Sequence, residues 1–106
     1  MVDEELSAAL KVHYKAWYEY RYDPARQRGD AVPSGKERFL AAVGSERGPE
    51  LWASIRALQD EADRVPDPGG PLTNYIDALR AWAATHPEID PSPMRTITDP
   101  LIRDHR

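Results

Sequence analysis

The chain has 106 residues, 41% of them hydrophobic and 30% charged, with ten prolines, no cysteine and a formal net charge of −4. That length suits one domain whose core is large enough to fold unaided, and the lack of cysteine excludes disulfide frameworks, thiolate zinc sites and cysteine nucleophiles. The negative balance gives no overall pull toward nucleic acid or anionic lipid, and no apolar run nears the roughly 20 residues of a bilayer span.

The opening MVDEELSAAL has neither the basic start nor the long apolar stretch of a secretory leader, so a cytoplasmic location is expected. A first helix is predicted from about Asp3 to Tyr22, with Asp3, Glu4 and Glu5 at the positive end of its dipole. Leu6, Leu10, His13, Trp17 and Tyr20 recur every three or four residues and form its expected inner stripe. Ala9 and Ala16 flank that stripe and permit close approach by a neighbour. Asp23-Pro24 ends the run, because the residue before proline is pushed out of helical geometry.

Residues 24–33 read as a loop. Ser34 with Glu37 three positions later matches a capping box and starts a short second helix, to about Val43, where Gly44 suits a C-terminal cap. A third helix follows Pro49, with Leu51, Ile55, Leu58, Ala62 and Val65 on one face, and stops at Pro66. After the PDPGG turn, Pro71 opens a fourth helix that buries Leu72, Tyr75, Ile76, Leu79, Ala83 and His86. Trp52 and Trp82 fall at the margins of these faces and are expected to be partly buried.

The last twenty residues, 87–106, hold four prolines and are predicted to lie extended, with at most a final turn in DPLIRD capped by Asp99. Ile89, Met94, Ile97, Leu101 and Ile102 make this segment too apolar for a solvated tail, so it should pack on the domain or on a partner. The expected architecture is all-α: a small four-helix bundle, one helix short, over residues 1–86, with an extended proline-rich tail over 87–106.

The functional question centres on KVHYKAWYEYRYDPARQR, residues 11–28. Five cations (Lys11, Lys15, Arg21, Arg26, Arg28) stand there against two acids, among one Trp and four Tyr. Tyr14, Lys15, Tyr18, Arg21 and Tyr22 share one sector of the helix, and Arg26 and Arg28 extend the positive surface. Tyrosine and arginine are enriched where proteins meet, so these seven residues are the expected contact surface for another protein or a second copy. The alternative is a nucleic-acid surface, with Lys11, Lys15, Arg21, Arg26 and Arg28 for phosphates and the tyrosines for stacking. The bland reading, in which tyrosines merely lie on a helix shoulder with wet hydroxyls, competes with both.

His13 sits on the inner stripe as a packed residue, or as a general base if a tyrosine hydroxyl and a carboxylate converged on it in a small enzyme site. His86 is expected to satisfy the end of the fourth helix and His105 to be solvated. Asp60, Glu61, Asp63 and Asp67 cluster in a spacing that matches no metal loop and should face a basic surface of this or another molecule. No metal, cofactor or catalytic residue is assigned, and no membrane contact is expected.

Overall fold

Apolar side chains at helical spacing fold here into five helices of nine residues or more and one extra single turn. The structure, a computed structural model, describes residues 2–105, leaving Met1 and Arg106 outside the described residues. The elements are α1 (Glu4–Arg21), α2 (Pro24–Gln27), α3 (Gly35–Val43), α4 (Gly48–Asp63), α5 (Leu72–Ala83) and α6 (Pro91–Asp104), and the described residues contain no strand.

The local signals act as their chemistry requires. Asp3 caps α1 by accepting from the Leu6 N–H, and Ser34 caps α3 by accepting from the Glu37 N–H at 3.1 Å. Gly44 ends α3 with φ +104°, a conformation that side chains disfavour, and this lets the chain double back into α4. The presumed loop 24–33 begins with a helical turn, because Asp23 caps it through the Ala25 N–H and Pro24 fits the first position. Asp23 also pairs with Arg38 of α3 at 2.7 Å, and both groups are mostly shielded from water. This holds the Asp23 carboxyl below its ordinary range and fixes the corner after α1 against α3.

Leu10, Phe39 and Ile55 are fully buried and centre a core that also takes Ala9, Leu51, Leu58 and Ala62. Helix α3 runs closely along α1, since Ala9 and Ala16 are buried there and the Gly35 backbone passes beside the Trp17 backbone. The tail prediction is corrected: most of 87–106 is a 14-residue helix, α6, rather than an extended strap. Pro91 and Pro93 occupy its first turn, where backbone N–H groups have no helical partner to lose. Only Pro100 lies inside the helix. The segment's apolar residues do pack inward: Ile89, Met94 and Ile97 join the core.

Helix α5 is set apart. It packs chiefly on α6, and its buried Tyr75 and Leu79 are not part of the main core cluster. The whole molecule measures 43 × 36 × 19 Å. Its short dimension is about two helix diameters.

Candidate functional site

The outer face of α1 carries the residues of interest, and the way burial changes along the helix explains it. Ser7 is 6% exposed, yet Tyr14 and Tyr18, further along the same line of the helix, are 37% and 51% exposed. Leu10 is fully buried, yet Trp17, seven residues on and nearly in line with it, is 37% exposed. No residue of α1 after Ala16 is buried. The lines of side chains that form the core in the first half of the helix are therefore less covered toward its end, where α3 passes with Gly35, a residue without a side chain. The expectation that Trp17 is buried is corrected on this ground: its angular position is that of a core residue, but its cover is partial and leaves it 37% exposed. Of the expected inner stripe, Leu10 is buried, while Leu6, His13 and Tyr20 are half-buried.

The exposed rings form a ladder. Tyr14 stacks on Tyr18 with centroids 6.4 Å apart, and Tyr18 leans on Tyr22 at 4.7 Å. The Arg21 guanidinium lies 5.1 Å from the Trp17 ring centre and 5.6 Å from that of Tyr22, and Arg26 covers Tyr20 at 4.6 Å. Lys15 stands beside Glu19 at 3.9 Å, and Arg28 beside Asp30 at 3.5 Å. Of the seven residues singled out in the sequence, Tyr14, Lys15, Tyr18, Arg21 and Tyr22 share the exposed face of α1. Arg26 borders it from α2, and Arg28 turns to Asp30 at the C-terminal end of α2. Trp17 is the residue that periodicity left out of the set.

His13 is not part of this face. It is half-buried between Phe39 and Trp52, with ring centres 5.9 and 5.2 Å away. Burial, and then the nearby Arg56 charge, push its pKa below the ordinary value of 6.5. The tyrosine ladder follows a different line of α1 from His13, whose ring neighbours are Phe39 and Trp52.

The two other histidines tie α5 down. His86 holds Glu61 of α4 through Nε2 at 2.9 Å and Glu88 through Nδ1 at 3.0 Å, and the Trp82 indole N–H donates to the same Glu61 oxygen at 3.3 Å. Its partners are carboxylates rather than the helix-end carbonyls expected from the sequence. His105 is not solvated as expected: its ring stacks on Tyr75 at 3.8 Å and bonds Asp67 at 2.6 Å. Two members of the acidic cluster, Glu61 and Asp67, thus face imidazoles of this same chain. Trp52 and Trp82 are both partly buried, as their positions at the edges of their stripes suggest.

Among the described residues no grouping of His, Asp or Glu is arranged to hold a metal ion, and no helix is long and apolar enough to cross a membrane. No protein-family model, curated protein or solved structure matches this chain.

Proposed function

We propose that the chain is a protein-docking module of the cytoplasm whose α1 face receives a segment of a partner protein. The observation that carries this reading is the exposure of Trp17, Tyr14 and Tyr18 along the lines that Leu10 and Ser7 occupy in the core. A partner helix laid there would extend the bundle along a face already built for packing. Lys15, Arg21 and Arg26 border that face, so the segment that fits best carries acids beside its apolar residues.

The overall shape supports the same reading. The accessible surface is 6850 Å², where a compact protein of this mass has about 6,000 Å². The radius of gyration is 15.1 Å against about 13 Å for a compact domain of this length. The excess surface is about what one partner contributes to an interface of standard size, roughly 800 Å².

A nucleic-acid partner fits less well. Arg21 already covers Trp17 and Tyr22, and Arg26 covers Tyr20, so cations occupy ring faces on which bases would stack.

A photo-crosslinking amino acid in place of Tyr18 identifies the partner in cells, with the same group in place of Glu46 as control. Affinity for the purified partner is then measured. The expected result is a crosslink from position 18 alone, and a loss of roughly tenfold or more in affinity for Trp17→Ala/Tyr18→Ala. Unchanged affinity in that variant ends the proposal. Binding of a single-stranded oligonucleotide that is lost in the same variant transfers the face to nucleic acid.

A further inference from the structure

A second concave surface lies away from α1, between α5 and α6. It is a groove of about 520 Å³ with a floor of Leu79, Ile89 and Met94 and sides that include Ile76 and Ile102. This volume falls within the roughly 300–1,000 Å³ of small-molecule sites, which are likewise mostly apolar with few polar groups. The loop joining the two helices closes one end.

The polar groups on its walls are unevenly charged. Arg80 stands one turn inside the end of α5, and Arg95 one turn inside the start of α6. Both cations line the groove, one from each helix. Their local partners are weak: Arg80 reaches Asp77 only at 3.9 Å with both side chains more than 70% exposed, and the one acid lining the groove, Asp99, stands a turn beyond Arg95 without an ion pair to it. His86, at the loop end, is already held between Glu61 and Glu88.

We infer that the α5–α6 groove binds a small amphiphilic carboxylate, its head at the walls that carry Arg80 and Arg95 and its aliphatic chain along Ile76, Ala83 and Ile102. A carboxylate balances the excess of positive charge on the groove's walls and accepts charge-assisted hydrogen bonds from guanidinium groups. The aliphatic chain covers the partly exposed Ile76, Ala83 and Ile102.

The probe is sodium decanoate, kept below its micellar concentration and titrated into the full chain while backbone amide shifts are followed. Decyltrimethylammonium is the matched cation. Saturable binding of decanoate is expected, with the largest shifts at Ile76, Met94 and Ile102 and no saturable binding of the cation. Arg80→Gln/Arg95→Gln, at exposed positions that leave the fold intact by circular dichroism, should weaken decanoate binding by roughly tenfold or more. Arg80→Lys/Arg95→Lys should retain most of it.

Equal binding of the two amphiphiles, an unchanged affinity in the Gln variant, or shifts confined to α1 would each overturn the assignment. So would a synthetic acidic amphipathic helix that fills the groove when decanoate does not, because the groove would then be a protein-docking surface.

Discussion

The Arg21 guanidinium lies over the Trp17 ring at 5.1 Å, on the outside of the bundle. A tryptophan placed by angle among core residues is thus stacked under a cation in contact with solvent. The energetic consequence separates it from the interior. Trp17→Ala should cost about 1–2 kcal/mol of folding stability, from the covered part of the ring and the lost cation–π contact. Phe39→Ala, which empties a fully buried site, should cost about 3–5 kcal/mol. Urea unfolding of both variants checks the contrast. A Trp17 loss equal to that of Phe39 would mean that the α1 face belongs to the folding core and is not free to dock.

Ser7 buries a hydroxyl whose oxygen has no hydrogen-bond partner among the described residues. An unpaired polar group in the interior is costly, and alanine is the better helix former. Ser7→Ala is expected to raise stability by about 1 kcal/mol. A measured loss would show that the hydroxyl finds a partner in solution.

Two histidines should give opposite pH slopes. Burial alone would lower the His86 pKa, but its hydrogen bonds to Glu61 and Glu88 outweigh this and raise it above the ordinary 6.5. Its contribution is therefore complete below 6.5 and is lost as pH rises through the raised value. His13 is shifted down, so its contribution is complete above 6.5 and is lost as pH falls toward its lowered value. Denaturant midpoints between about pH 5 and 8.5 should show the advantage of the native chain over His86→Gln shrinking toward the alkaline end. The advantage over His13→Gln should shrink toward the acid end. Parallel curves for the native chain and His86→Gln would mean that the imidazolium bridge to Glu61 does not form in solution.

Pro100 withdraws a donor from the interior of α6. An interior helical proline costs about 3 kcal/mol, of which its rigidity in the unfolded chain returns up to about 1. Pro100→Ala should therefore stabilise the protein by about 2 kcal/mol, read from thermal or urea unfolding. If the substitution destabilises instead, the proline ring contributes more through its packing beside Leu101 than the missing hydrogen bond costs.

The last element is where sequence reading and structure part most clearly. Four prolines in twenty residues argue against a helix when they are counted, yet their positions matter more than their number. Pro91 and Pro93 lie where no helical hydrogen bond is needed, and that was visible in the spacing of the prolines after Asp90. Elsewhere, periodicity located α1, α3, α4 and α5 and the inner face of α4, because the spacing of apolar and polar residues is a local property. The exposure of Trp17 was not legible in the same way. Whether a residue with a core angle is covered depends on how far other helices extend, which is decided by the corner at Gly44 and the placement of α6. The small pair Ala9 and Ala16 was a usable hint that α3 would lie close along α1. The groove between α5 and α6 left no signal of its own, since residues of the two helices line it together only when the intervening loop turns back.

Helix α5 leans mainly on α6 and is fastened at its two ends by imidazole–carboxylate pairs, His105 with Asp67 and His86 with Glu61. Such an arrangement makes α5 a semi-independent cooperative unit that opens before the α1–α3–α4 trio. In deuterium exchange its amides should label first among the long helices. The two polar fastenings then act as hinge pins: raising the pH loosens the pin at His86, and the protein gains mobility at one edge while the opposite face stays rigid.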